Sequence, residues 1–332
     1  MRFFCLSLIY ISLGFGGVVE FISSEDSPAA YREVIVTEAQ KDGGFWGQLY
    51  YKLAKEGHRI VITNETRVGE GDVIVWGNIR TPSKLKRLKK LKSSRPEVKH
   101  VLVNWEPPLH EIELTKEVLD LFDRVVSWND GMRGRPNFRK WGYPVNHGVM
   151  ENAPGFKDRK LCAMILGGHQ STHPEEIYSM RRKLVEFYES VPGGSSYFDF
   201  YGWLWGEGKY KNHHGVPPHV VSTLSQYKFT FAFENWSNDV GYITEKIFAP
   251  FEAGSVPIYL GATNISEYIP EECFIDMRMF PSFEAMHEYL LLIEEEEWEE
   301  YRANIKKFLA SEKGRMFTPE HQASILADAI LH

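Results

Sequence analysis

The chain has 332 residues, above the usual size of one domain, so two domains of about 150 residues each are expected behind whatever the N-terminus does. With 43% apolar, 14% aromatic and 25% charged residues it is an ordinary globular sequence, which excludes a disordered, collagenous or coiled-coil chain. The net charge of −7 argues against a nucleic-acid binder, and the dispersed cysteines Cys5, Cys162 and Cys273 lack the paired spacing of a structural zinc site.

In chain order, residues 1 to 22 come first: Arg2 precedes an apolar run from Phe3 to Val19, and Glu20, Glu25 and Asp26 follow. This reads as a targeting segment within residues 1–24. Its length is at the short limit for a spanning helix, so a cleaved signal peptide and a single-pass anchor both stay open. The cation before it and the acids after it place the remaining chain across the membrane. Glycosylation sequons at Asn64, Asn235 and Asn264 are compatible with that setting.

Next, short β-branched runs alternate with helical stretches. Strands are expected at 33–38, 59–65, 72–78, 99–105 and 123–129, with a helix from Phe45 to Glu56, which predicts a parallel α/β domain over 30–150. In the basic run Lys84 to Lys92, Leu85, Leu88 and Leu91 form one stripe of a helix whose other face is solvated or meets an anionic lipid or acidic glycan. A Gly- and Pro-rich break at 148–159 leads into a second α/β unit over 155–330. There strands are expected at 160–168, 198–202, 228–233 and 256–261, and helices near 175–190 and 242–253. Two such units facing each other imply a cleft at the carboxyl ends of their strands. Cys162 and Cys273 can pair or stay reduced, and the acidic run Glu294 to Glu300 reads as an exposed helix end.

The chemistry concentrates in residues 227–262, YKFTFAFENWSNDVGYITEKIFAPFEAGSVPIYLGA. A strand leads through a polar loop into a helix beginning near Tyr242, on which Tyr242, Glu245 and Lys246 share one face. A lysine in the first turn adds a full charge to the helix dipole and the free N–H groups, which together suit phosphate, and a carboxylate beside it suits ribose hydroxyls. Pro250 is expected to kink this helix one turn further on.

FxFEN, YITEK and AGxVPxxLG together resemble the donor signature of the α1,3/4-fucosyltransferases, glycosyltransferase family 10. The resemblance implies a GT-B architecture: two facing Rossmann-like domains, the active site in the cleft between them, and GDP-β-L-fucose held by the C-terminal one. It implies that Lys246 binds the donor phosphates, Glu245 the ribose, and that Tyr242 and Asn235 line the nucleotide pocket. An arginine on the first donor-domain helix contacts pyrophosphate in the family, with Arg182 the better aligned candidate and Arg181 next to it; a guanidinium fork suits that role. Tyr201-Gly202 resembles the family's YG segment. Glu106, in Glu106-Pro107-Pro108 after the strand at 99–105, resembles the family's catalytic base, and the end of a parallel strand is where a general base can meet an acceptor.

The implied reaction is inverting transfer of L-fucose to a hydroxyl of a GlcNAc-containing glycan, in an α1,3 or α1,4 linkage. No Asp-x-Asp occurs, so no metal is required by this reading, with manganese at most a stimulant. The implied partners are GDP-fucose, an oligosaccharide or glycoprotein acceptor and a membrane, and the implied location in a eukaryotic cell is the Golgi, as a type II protein with a lumenal catalytic part. The rivals are an inverting enzyme for another nucleotide sugar and a tethered glycan-binding protein without catalysis. Trp236 stands as the extra residue of the loop between Glu234 and Tyr242, and Gly241 replaces an aspartate common in the family.

Overall fold

A computed structural model describes residues 17–22, 44–63, 71–146, 148–206, 208–237 and 239–332. Its contacts divide the chain into two units. The first runs to Asn104 and adds Ile112–Val126 and Ala323–His332; the second is Trp105–Glu111 with Ser127–Gln322. The segment carrying Glu106 counts with the second unit, and the end of the last helix counts with the first.

In the first unit, strands β1 (Val18–Ile22), β2 (Arg59–Thr63), β3 (Val73–Gly77), β4 (Lys99–Asn104) and β5 (Arg124–Ser127) follow the order β2-β1-β3-β4-β5. The pairs β1–β2, β1–β3 and β3–β4 are parallel. Val18–Ile22, at the end of the expected leader, is the strand between β2 and β3 and is buried from Val19 onward. An apolar run such as VVEFI suits a strand covered on both faces as well as it suits a leader. Residues 1–16, the strand expected at 33–38 and the sequon at Asn64 lie outside the described residues. Among the described residues no helix is long and apolar enough to cross a membrane.

The basic run forms helix Pro82–Ser94, capped by the Thr81 hydroxyl, which accepts from Lys84 N. Its buried side is Lys84, Leu88 and Leu91, so two leucines of the expected stripe are buried, while Leu85 is half-buried and Lys84 stands in its place. The Lys84 ammonium donates to Gly77 O, which satisfies a charge with almost no exposure.

The second unit holds the short strand β6 (Phe138–Lys140) and a parallel sheet of β7 (Lys160–Ile165), β8 (Phe198–Tyr201), β9 (Tyr227–Phe233), β10 (Val256–Leu260) and β11 (Ile275–Asp276), in the order β11-β10-β9-β7-β8. Strand order reverses at β7, so β7 and β9 flank the position where such sheets bind ligands at their carboxyl ends. Strand β9 shows how sequence sets the layers. Phe229, Phe231 and Phe233 pack with Leu184, Val185 and Tyr188 of helix Tyr178–Ser190, while Ala232, in the other phase, packs with Ile247 and Phe251 of helix Glu245–Ala253. Pro250 is accommodated inside the latter helix, which ends at Gly254 in the left-handed region with φ 63°. Helix Glu295–Leu309 starts with the expected acidic turn, but Trp298 is fully buried and donates to Lys228 O (2.9 Å) between Arg159 and Arg302. Cys162 and Cys273 are both buried free thiols.

Candidate active site

At the carboxyl ends of β7, β8 and β9 lies a cavity of about 500 Å³ formed entirely by the second unit. Its charged residues are Glu106, Arg181, Glu245 and Lys246, joined by Asn235, His110, His169 and Tyr178, and its apolar side is Trp203, Val216, Pro217 and Val220. Four expected site residues, Glu106, Asn235, Glu245 and Lys246, therefore converge, and Gly202 joins them.

Helix Glu245–Ala253 begins later than expected, with Thr244 as the N-cap; its hydroxyl accepts from Lys246 N at 3.4 Å. Glu245 and Lys246 are its first two residues. The Lys246 ammonium lies 3.0 Å from Thr244 Oγ1, 3.2 Å from Glu234 Oε2 and 3.3 Å from Glu245 Oε1. Burial works against its charge, but Glu234 and Glu245 outweigh it and hold the ammonium above the ordinary lysine value. Glu245 is 59% exposed, whereas Glu234 is fully buried. The Glu234 carboxylate also accepts Thr244 N and Thr244 Oγ1 at 2.9 Å, and burial pushes its carboxyl up.

Three expected residues are placed elsewhere. Tyr242 precedes the helix, is buried, and packs edge-on against Trp128 with ring centroids 4.7 Å apart. Its hydroxyl donates to Asn235 Oδ1 (2.9 Å), so it orients a cavity residue without lining the cavity. Tyr201 ends β8 with its hydroxyl 2.8 Å from that of Tyr227, outside the cavity. Arg182 donates to the carbonyls of Gly168 and His169, tying down a turn. Its neighbour Arg181 is the cavity arginine. One helix step of about 100° separates the two directions, which alignment alone does not resolve. Arg181 is buried, donates to Phe233 O (2.8 Å), lies over the Tyr178 ring, and keeps its Nε without a hydrogen-bond partner. Burial pushes its guanidinium down to about 10, still charged at neutral pH.

Gly202 has a φ of 130°, and a Cβ there would meet Leu166 O at 2.3 Å, so glycine is needed for the approach of two backbone segments at the cavity wall. Sequence reasoning missed His110 and Tyr178, joined Nε2 to hydroxyl at 3.0 Å, with Asn235 Nδ2 3.3 Å from the same hydroxyl. Glu234, the glutamate of FxFEN, is a further such residue, and a charged residue closing a buried strand is the signal for it in the sequence. Both remaining sequons are used internally. Asn235 bonds through both ends of its amide, and Asn264 accepts Gly241 N (2.7 Å) and donates to Asp130 (3.0 Å). Among the described residues no group of three or more His, Cys, Asp or Glu is placed to hold a metal ion.

A family model described as Glycosyltransferase family 10 (fucosyltransferase) C-term matches residues 198–314. Alpha-(1,3)-fucosyltransferase 4 of Rattus norvegicus is 30% identical over 212 residues, 61% of this chain and 44% of the relative. Alpha-(1,4)-fucosyltransferase of Arabidopsis thaliana is 39% identical over 72 residues, 22% of this chain and 18% of the relative. The chain thus spans less than half the length of these curated relatives. Among solved structures, an alpha1,3-fucosyltransferase superposes with a TM-score of 0.60, and one with GDP-fucose with 0.54, each 13% identical and covering 95% of this chain and 90% of the other. Residues 198–314 are thus similar to the C-terminal part of glycosyltransferase family 10, the fucosyltransferase family, and the fold is of the GT-B type seen in the superposed alpha1,3-fucosyltransferase.

Proposed function

We propose that the protein is an inverting fucosyltransferase that moves L-fucose from GDP-β-L-fucose to a hydroxyl of a GlcNAc-containing glycan, in an α1,3 or α1,4 linkage. The observation that carries this reading is the convergence of Glu106, Arg181, Glu245 and Lys246 on one cavity at the carboxyl ends of the second sheet. A carboxylate able to take a proton stands in the same space as two cations able to take a diphosphate.

In this reading Glu106 takes the acceptor hydroxyl proton as the oxygen attacks the anomeric carbon. The new C–O bond forms on the face opposite the diphosphate, the bond to the β-phosphate oxygen breaks, and GDP departs. Lys246, Arg181 and the N-terminus of helix Glu245–Ala253 stabilise the charge that develops on it. Glu245 holds the ribose and Asn235 the nucleotide, with Tyr242 behind Asn235. No step is assigned to a metal; turnover is expected to survive a chelator, with manganese acting at most as a stimulant. A membrane-bound, Golgi-lumenal setting is a separate part of the proposal, tested by fractionation and protease protection.

The experiment is transfer of labelled fucose from GDP-fucose to a panel of glycans, beside a panel of other nucleotide sugars, with Glu106→Gln as the control. Transfer that is specific for GDP-fucose and lost in the control supports the reading. Transfer from another donor only, or full turnover in the control, overturns it.

A further inference from the structure

The residue that follows strand β9 is charged where continued alternation would turn it inward. Thr230, Ala232 and Glu234 share the phase that faces helix Glu245–Ala253; Thr230 is met by Ser255 (2.8 Å) and Ala232 by Ile247 and Phe251. At Glu234 the same phase ends in a carboxylate with no solvent exposure. The surroundings are shaped to fit it: a Cβ on Gly261 would come within 2.5 Å of Glu234 Cγ, and Glu234 N donates to Leu260 O at 2.8 Å. Its bonds from Thr244 secure the start of the helix, and an amide could provide much of that. What an amide could not provide is the ion pair with Lys246.

We propose that Glu234 is a positioning residue for the diphosphate-binding lysine, its buried carboxylate aiming the Lys246 ammonium into the cavity and keeping it charged there. The inference rests on the reading of Lys246 given under Proposed function. The groups facing the ammonium are few: Glu234 from the end of β9, Glu245 from its own helix, Arg181 from helix Tyr178–Ser190, and Glu106 across the cavity. Burial and Arg181 disfavour the charged lysine, and the two glutamates restore it. Glu245 is exposed and is assigned to the ribose, so Glu234 is the counter-charge that a bound nucleotide does not take away.

The test is GDP affinity by calorimetry on the full chain between pH 7 and 10, for wild type, Glu234→Gln, Lys246→Ala and the double variant. The ratio of variant to wild-type dissociation constants cancels the ionisation of GDP itself. A carboxylate at this distance moves a neighbouring pKa by roughly one to three units, so the Glu234→Gln ratio should climb about tenfold or more toward alkaline pH. It should stay flat when Lys246 is already alanine. A Glu234→Gln ratio independent of pH, or a rise that persists in the double variant, overturns the proposal and leaves Glu234 a structural tie. Unchanged GDP affinity in Lys246→Ala would instead remove the phosphate role of the lysine itself, a distinguishable failure. Should Glu234→Gln not fold, the wild type serves through acylation by an amine-reactive ester at pH 9. Lys246 should react far more slowly than exposed Lys86 and Lys89, and equal or faster reaction overturns the proposal.

Discussion

Two buried carboxylates of the second unit show how similar chemistry serves different ends. Asp130 is surrounded: it takes the Tyr268 hydroxyl at 2.5 Å, Asn264 Nδ2 at 3.0 Å, Arg133 Nε at 3.0 Å and the Lys140 ammonium at 3.1 Å, while its backbone N–H donates to Val240 O. None of these groups lines the cavity. Glu234 has one cation, and that cation does line it. Burial opposes the charge in both cases. At Asp130, Tyr268, Asn264 and Lys140 outweigh burial and the carboxyl is lowered; at Glu234 burial wins and it is raised. The Asp130 network is spent on joining three loops, whereas the Glu234 pair leaves its lysine for a ligand.

The largest expected effect lies outside both clusters and calibrates the cavity: Glu106→Gln should lower transfer by about 10²–10⁴-fold with GDP affinity unchanged, because only proton removal is lost. Parallel loss of GDP binding would show that Glu106 acts on the donor. Asp130→Asn should cost about 3 kcal/mol in denaturant unfolding, because it leaves Lys140 and Arg133 facing a neutral group; an unchanged midpoint would remove the contrast drawn above. Lys246→Ala should weaken GDP binding by about 10–100-fold, the value of charge-assisted hydrogen bonds. Arg181→Ala should behave like it and Arg182→Ala should not, losing about 1 kcal/mol of stability with GDP affinity kept; the reverse pattern would restore the expectation from alignment.

The comparison also predicts opposite pH signs. Asp130 has its carboxyl lowered from 3.8, so its contribution is full above that value and fades as pH falls through the folded one. Glu234 has its carboxyl raised from 4.5, so its contribution is full below 4.5 and fades as pH rises through the folded one. Unfolding of Asp130→Asn and Glu234→Gln followed from pH 3 to 8 should therefore diverge from wild type in opposite directions, and parallel curves would refute the assignment. In the first unit, His100 is pushed down to about 4, chiefly by burial, while Trp76 Nε1 donates to its Nδ1. That unit should accordingly lose stability as pH falls from 6.5 toward 4, an effect a neutral residue at position 100 should reduce.

Much of the fold is legible in the sequence. The runs at 99–105, 160–168, 228–233 and 256–261 are strands within a residue or a few, because fully covered parallel strands are short, β-branched or aromatic, and bounded by turn residues. Val18–Ile22 was not legible as a strand, since hydrophobicity alone does not separate a central strand from the tail of a leader. The helices after residue 280 were legible only at the acidic run, and there the buried side of Trp298 stayed hidden.

By itself the sequence determined what depends on neighbours along the chain: a parallel α/β fold, a family signature at 227–262, and a lysine and glutamate opening one helix. Only the tertiary structure decided which groups meet. It turned Arg181 rather than Arg182 into the cavity, set Tyr242 behind Asn235, gave both amide ends of Asn264 internal partners, and brought the end of β9 beneath Lys246. These are matters of direction and burial. A residue's direction follows from the packing of elements distant in sequence, and a buried charge is tolerated only where the fold supplies its partner.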